Sequence, residues 1–576
     1  MKIIQRDSTG WQQLPSSWPD CLRKVLAARG IQSESDISYP LAELPKPDLL
    51  LDMDKAVVLL HQALQHNWRI MIVADFDTDG ATSCAVAIRG LTAMGVKQID
   101  YIVPNRFVHG YGLTPELLAD IPKDNQPDLL ITVDNGIASI AGVEEANNRG
   151  IKVLVTDHHL PGESLPAAEA IINPNQHDDQ FPSKNMAGVG VCFYLLLGLR
   201  QYLRQQSWFQ QQQITEPKLT DLLDLVALGT VADVVPLDRL NRTLVNLGLT
   251  RMRKNLACEG IKALLQVAGK QAAKLATSDL GFAVAPRLNA AGRMEDMGLG
   301  INSLLTDDAM EALTAAQTLD QINLDRRSVE KDMQDQALKM LEKMSFDDAQ
   351  PPLAYCLFDP YWHQGVVGLL ASRIKERQHR PVIAFAPGDN GEVKGSARSI
   401  PGIHIRDVLA HVAAQKPQLL SKFGGHAMAA GLSIKQDDLA EFEQCFLQVL
   451  QDTVEAEVLQ QTVSSDGEMD FDDISIHLAE LLPTAAPWGQ GFPEPHFHNK
   501  FVVENIRTVG QEGDHLRLTL GLNNNKNITA MAFRQQQPDW LVSGGEAIVH
   551  YRLDVNEFRN QRSVQMLVAN LLPVKD

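Results

Sequence analysis

The chain has 576 residues, too many for one hydrophobic core, so three or four domains are expected. With 44% hydrophobic and 21% charged residues it has an ordinary globular composition, and its longest apolar run, GVGVCFYLLLGL, is too short to cross a bilayer, so no transmembrane segment is expected. The net charge of −19 argues against a nucleic-acid partner only until it is located: residues 436–499 hold fourteen Asp or Glu and no Lys or Arg, leaving a net of −5 elsewhere.

Cys21, Cys84, Cys192, Cys258, Cys356 and Cys445 are scattered without a CxxC pair, which fits a reducing compartment and excludes a zinc finger. The start, MKIIQRDSTGWQQLP, lacks the apolar segment of a secretory signal, so the cytoplasm is the expected location. The first 50 residues (1–50) carry no legible chemistry. From residue 70 to about 175 the short apolar runs IMIVA, IDYIV, LLITV, VLVT and AIIN alternate with helical stretches, the pattern of a doubly wound parallel α/β sheet. Helical segments such as ATSCAVAIRGLTAM, closing at Gly95, and GIASIAGVEEANNRG, closing at Gly150, carry C-terminal glycines. A helical region follows, making 51–307 one expected domain; the charged stretch 308–345, free of Gly and Pro, predicts one long connecting helix. A second α/β lobe is expected over 346–455, from LAYCLF through PVIAFA to SKFGGHAMAAGLSI. Within 456–576, after an acidic, Pro-rich boundary, KFVVENIRTV, HLRLTLGL, NITAMAF, EAIVHYRLDV and RSVQMLVANLL predict a small β-barrel.

Chemistry concentrates where strands of the first sheet should end, the edge at which open α/β sheets build sites. Asp75, Asp77 and Asp79 follow IMIVA, Asp134 follows LLITV, and Asp157, His158 and His159 follow VLVT. Asp233 lies within the apolar run LVALGTVADVVPL, where an unpaired charge is costly. A single aspartate at a strand end is ordinarily a helix cap or turn residue. Four such sites converging on one edge call for a cation. Carboxylates with one imidazole and no cysteine favour Mn²⁺ or Mg²⁺, and their number favours two ions.

In this order DFDTDG, VDNG, TDHH and VADVVPL resemble the motifs of the DHH phosphoesterase superfamily, and FGGHAMAAG resembles the glycine-rich histidine motif of its DHHA1 domain. PNRFVHGYGL, APRLNAAGRM, WHQGVVGLLASRI and GSARSIPGIH are similar to the RecJ family of bacterial 5′-to-3′ exonucleases specific for single-stranded DNA. The resemblance is dense over residues 65–435 and implies an OB-fold for the terminal barrel. It implies that Asp75, Asp77, Asp79, Asp134, His158 and Asp233 surround the metals, with Asp134 bridging both. It further implies that His159 faces the scissile phosphate and that Asp157 orients its neighbours. Superfamily members often place a histidine shortly before the first aspartates; here Met71, Ile72, Val73 and Ala74 stand there, which implies fewer protein ligands for one ion.

The expected reaction is two-metal hydrolysis of single-stranded DNA to 5′-mononucleotides, with His159 and nearby arginines stabilising charge on phosphorus oxygens. Arg106, Tyr111, Arg287, Asn289, Arg293, His363, Arg373, Ser396, Arg398 and His426 are the substrate-binding candidates, several carrying donors into Gly-containing turns. Phe107 with Tyr111 and Tyr361 with Trp362 are candidates for base contact, aromatic core packing being the plainer alternative. Tyr551, Arg552, Phe558, Arg559 and Arg562 interleave aromatic and basic residues as an OB-fold binding face would. The resemblance implies a role in recombination and repair, with single-strand binding protein and a helicase as partners, and a monomeric enzyme is expected. Two alternatives stay open: a DHH-type pyrophosphatase or hydrolase of short oligonucleotides or cyclic dinucleotides, and a non-catalytic nucleic-acid-binding protein with a structural metal site.

Overall fold

Alternating side chains along the first strands sort themselves between two cores. In β1 (Ile70–Ala74), Ile70, Ile72 and Ala74 enter one buried cluster while Met71 and Val73 enter another on the opposite face. With β2 (Ile99–Ile102), β3 (Leu129–Val133), β4 (Lys152–Thr156) and β5 (Ala170–Ile172) it forms a parallel sheet in the order β2-β1-β3-β4-β5. The chain leaves β1 in one direction and β3 in the other, so the crevice between their carboxyl ends is the topological switch point. All five predicted strands are present. The helix after β1 runs Thr78–Ala93 and is followed by Gly95 at φ +110, as its punctuation predicts.

This computed structural model describes residues 1–106, 108–343, 352–388, 390–510, 513–522, 526–558 and 561–574. Packing divides the chain into two units, one made of Met1–Ile4 with Gln321–Val463, the other of Gln5–Asp320 with Ser464–Asp576. The expected long helix spans Ala309–Lys343, and the division falls within it.

The smaller unit holds a five-stranded mixed sheet of β6 (Tyr355–Phe358), β7 (Val382–Pro387), β8 (Glu392–Arg398), β9 (Lys422–Gly425) and β10 (Ala429–Lys435), ordered β9-β10-β8-β7-β6. Only β6 and β7 pair in parallel. In the larger unit, β11 (Phe497–Val509), β12 (His515–Gly521), β13 (Asn527–Ala532), β14 (Glu546–Phe558) and β15 (Gln561–Pro573) close into the expected barrel in the order β11-β12-β13-β15-β14. Its interior residues Phe501, Val503, Leu518 and Tyr551 belong to the same continuous hydrophobic cluster as Ile72 and Leu196 of the first lobe. Among the described residues no helix is long and apolar enough to cross a membrane.

Candidate metal centre

At the switch point two carboxylates are held by backbone amides and two others stand at the ends of elements. Asp77 caps the helix Thr78–Ala93, accepting from Asp79 N at 2.9 Å and Gly80 N at 3.1 Å. Asp79, one turn in, reaches across to the next helix and accepts from Gly188 N at 2.6 Å and Val189 N at 2.9 Å. Asp134 ends β3 in the left-handed region at φ +61, a conformation aspartate tolerates better than most residues. Asp233 sits just past the helix Leu223–Ala232, and the β-branched Val234 after it is held at φ +62, a strained backbone at the site's border.

These side chains meet. His158 Nε2 lies 3.1 Å from Asp134 Oδ1 and 3.5 Å from Asp233 Oδ2. Three sets of ligand atoms lie within 4.8 Å of one another: Asp75, Asp77 and Asp134; Asp79, His158 and Asp233; and Asp134, His158 and His159. Asp75, Asp79 and Asp134 are almost wholly buried. Burial, followed by repulsion from neighbouring carboxylates, pushes the proton affinities of Asp75, Asp134 and Asp233 well above the usual carboxylate range and that of Asp79 up to about 7. Asp75 Oδ1 is buried and accepts no hydrogen bond among the described residues. Crowded, dehydrated carboxylates whose buried Asp75 Oδ1 and Asp134 Oδ1 accept no hydrogen bond among the described residues fit a divalent cation, and oxygen donors with imidazole fit Mn²⁺ or Mg²⁺. Two of the three sets share Asp134, an arrangement able to hold two ions.

Beside the clusters stands a second arrangement with a different purpose. Asp157 Oδ1 accepts from His159 Nδ1 at 2.7 Å and from the His158 and His159 amides at 2.7 and 3.1 Å, while Oδ2 accepts from Ile137 N at 2.9 Å. Burial alone would raise the Asp157 proton affinity; the bond to His159 and the two imidazole charges outweigh it and lower it. For His159 burial acts to lower the pKa, and the contact with Asp157 overrides it and raises it. Tyr111 donates to the Asp134 carbonyl at 3.0 Å and meets the His159 ring edge to face at 5.8 Å. Arg106 lies 4.1 Å over the Phe76 ring; burial lowers its pKa, and the neighbouring Asp75 and Asp77 offset that only in part.

Other candidates are held by contacts within their own unit. Asn289 Oδ1 accepts from Thr78 N and Thr78 Oγ1, both at 2.8 Å, and so pins the start of the metal-bearing helix. Arg287 pairs with Asp320 at 2.8 Å, and Arg293 closes the helix Ala285–Met294. In the smaller unit Arg398 donates to Ser396 Oγ at 3.0 Å, and both crowd Gly368 at the start of the helix Val367–Gln378, where a Cβ would come within 2.8 Å of Arg398 Nη2. Burial lowers the Arg398 pKa, and no carboxylate pairs with it among the described residues. Arg373, on the same helix, bonds Glu330 at 2.9 Å. His363 Nδ1 accepts from Gly365 N at 3.1 Å, and His426 N donates to Ala429 O in the turn between β9 and β10.

The barrel face differs from the expected one. Tyr551 is fully buried with its hydroxyl on Asn499 at 2.8 Å, because alternation along β14 puts it on the inward side with Ala547, Val549 and Leu553; it has no face to offer a base. Arg552 pairs with Glu494 at 2.7 Å and Arg562 with Glu480; Phe558 is exposed, and Arg559 lies outside the described residues, as does Phe107. Trp362 is likewise buried, bonding Gln336 at 2.9 Å, whereas Tyr361 is exposed. Arg507 and Arg517 stand directly opposite on β11 and β12, both exposed and in no ion pair among the described residues. Sequence reading missed them because only the strand register makes them neighbours. It also missed Gly188 and Gly292: a Cβ would meet the Asp134 side chain at 2.6 Å in the first and the Phe76 carbonyl at 1.8 Å in the second, so both spots admit only glycine. The small-residue runs AGVGV and AAGRM were the available signal.

Comparison with known proteins agrees with this geometry. The sequence matches the N-terminal domain of the DHH family over residues 69–230, the DHHA1 domain over 350–456 and the RecJ OB domain over 465–570. It is 49% identical over 573 residues to the single-stranded-DNA-specific exonuclease RecJ of Dickeya dadantii, covering 99% of both chains, and 47% identical to that of Escherichia coli, covering 100% of this chain and 99% of the other. Among solved structures, RecJ of Thermus thermophilus in complex with Mn²⁺ matches with a TM-score of 0.78 at 28% identity, covering all of this chain and 80% of that one. The complex with Mg²⁺ matches at 0.74 and 26% identity, covering all of this chain and 78% of that one.

Proposed function

The chain belongs to the RecJ family of single-stranded-DNA-specific exonucleases, and from that premise we propose that it degrades single-stranded DNA from the 5′ end to 5′-mononucleotides by metal-dependent hydrolysis. The observation that carries the reading is the convergence of Asp75, Asp77, Asp79, Asp134, His158 and Asp233 into overlapping ligand sets at one sheet edge. A binding protein with a structural ion has no use for the separately anchored His159 beside them.

Divalent cations held there supply charge neutralisation and an activated water at the phosphodiester. The protein's own groups do the rest. Asp157 holds the His159 ring by Nδ1 and favours its protonated form, so that the opposite edge can donate to a phosphoryl oxygen as charge builds. Asp157 is therefore a positioning residue. Arg106 adds positive charge beside Asp75 and Asp77. In the smaller unit, Arg398, Ser396 and the helix start at Gly368 form an anion cradle suited to the terminal 5′ phosphate, with Arg373 on the same helix as a further ligand. This supports end recognition over internal cleavage. We divide the chain at residues 1–50, 51–307, 308–345, 346–455 and 456–576.

The enzyme acts in the cytoplasm as a monomer, in DNA recombination and repair, on strands opened by a helicase and coated by single-strand binding protein. The test is digestion of single-stranded DNA labelled at either end, with Mn²⁺, Mg²⁺ or EDTA, by the protein and its Asp134→Ala variant. Early release of a labelled mononucleotide from the 5′ end alone, dependent on metal and lost in the variant, is the expected result. Survival of long DNA with hydrolysis of dinucleotides or pyrophosphate would overturn the polymer reading.

A further inference from the structure

The half of the long helix that belongs to the smaller unit buries charge. Glu330 and Arg326 are each 7% exposed and Asn323 is wholly buried, polar members of a stripe whose other buried residues, Ile322, Met333, Ala337 and Leu341, are apolar. Glu330 is shared: Oε2 accepts from Arg326 Nη1 at 2.8 Å and Oε1 from Arg373 Nε at 2.9 Å, while Arg326 also donates to Asn323 Oδ1 at 3.2 Å. The trio keeps one net positive charge, and that charge emerges at Arg373, whose side chain is 42% exposed. Arg373 spends its Nε on Glu330. Its Nη1 has only a 3.4 Å contact with Glu376, and its Nη2 has no partner among the described residues.

We infer that Glu330 is the positioning residue that orients Arg373, holding the inner edge of its guanidinium so that the Nη edge is presented to a phosphate of the DNA. The inference rests on reading Arg373 as a phosphate ligand. An arginine on a half-exposed helix face samples many rotamers, whereas one anchored through Nε keeps its plane fixed and offers two parallel donors. A buried carboxylate between two guanidiniums is a poor device for stability alone, since apolar replacements of such trios are often at least as stable. It is a good device for orientation: Arg326 and Asn323 hold Glu330, and Glu330 holds Arg373.

The test is steady-state kinetics of the full chain with Mn²⁺ on two single strands of one sequence, carrying a 5′ phosphate or a 5′ hydroxyl. Arg373→Ala should raise KM for the phosphorylated strand and leave the hydroxyl strand little changed. Glu330→Gln should do the same, raising that KM about tenfold with kcat within about twofold, as expected when a ground-state contact is lost. Glu330→Asp, which keeps the charge but draws the anchor back, should fall between the two; it replaces Glu330→Gln if the latter does not fold. KM is unaffected by the fraction of active protein. If Arg373→Ala raises KM and neither Glu330 variant does, or if Glu330→Gln lowers the melting temperature with the KM ratio unchanged, Glu330 is a structural staple and the inference is overturned. If Arg373→Ala leaves both KM values unchanged, the reading of Arg373 itself falls.

Discussion

The two lobes bury charge of opposite sign, and neither answers it fully with its own side chains. In the first, Asp75, Asp79 and Asp134 are crowded together with proton affinities raised by burial and by one another. In the second, Arg398 is half-buried and no carboxylate pairs with it among the described residues, and Arg326 and Arg373 share Glu330, Arg373 having beside that only the longer contact with Glu376. Asp466 is the contrast. Its carboxylate is buried too, but Arg29 grips it at 2.7 and 3.0 Å and Arg6 lies at 3.5 Å, so its charge closes within the protein. Buried charge left open marks a place for a ligand, and its sign gives the ligand's class: cations for the first lobe, phosphate for the second.

The comparison can be broken most sharply at Asp134. Asp134→Ala should lower the nuclease rate by at least about a thousandfold, because the variant loses the carboxylate shared by two ligand sets. In EDTA the same variant should melt no lower than the parent, since a repelled charge has gone; a steep loss of stability would mean that Asp134 is a structural residue.

Next in size is the response to pH. The folded protein binds protons at Asp79 more tightly than the unfolded chain does, with a pKa of about 7 against 3.8, so the cation-free protein should lose stability as pH rises through that window. Mn²⁺ at a hundred times its dissociation constant should restore about 2.7 kcal/mol at neutral pH. Melting curves from pH 4 to 8 with and without Mn²⁺ measure both; a curve unchanged by Mn²⁺ would remove the cation from the account.

Arg398→Ala tests the opposite sign. It should raise KM for a 5′-phosphorylated strand about tenfold with little change for the 5′-hydroxyl strand, the cost of one charge-assisted contact. Equal effects on both strands would make Arg398 a backbone contact and not an end sensor. The smallest expected effect is at the barrel. Replacing Arg507 and Arg517 together by alanine should weaken single-strand binding a few-fold and flatten the salt dependence by about 1.4 in log-log slope. Replacing Arg552, already held by Glu494, should leave that slope unchanged.

The parallel sheet was legible because apolar runs such as IMIVA and LLITV are bounded by turn residues, and in a sheet covered on both faces that pattern has few other readings. The metal edge was legible for a related reason: Asp75, Asp134 and Asp157 directly follow strands, and parallel strands deliver their carboxyl ends to one side. Asp79 was legible as an acid but not as the cap of a helix more than a hundred residues away. That the Asn289 carbonyl oxygen accepts from Thr78 was not legible, since the two residues lie far apart in sequence.

Sequence by itself therefore determined which residues carry charge, on which strand or helix each lies, and the chemistry such groups can perform, since these depend on local pattern and residue type. Only the tertiary structure decided which charges are answered and which stay open. The barrel packing that sets Tyr551 on Asn499 and the contact that brings Arg373 to Glu330 join residues distant in sequence, and the register that sets Arg507 against Arg517 exists only once the strands pair. Pairing of that kind is a property of three-dimensional packing, where one residue of register or one turn of helix moves a side chain from solvent to core.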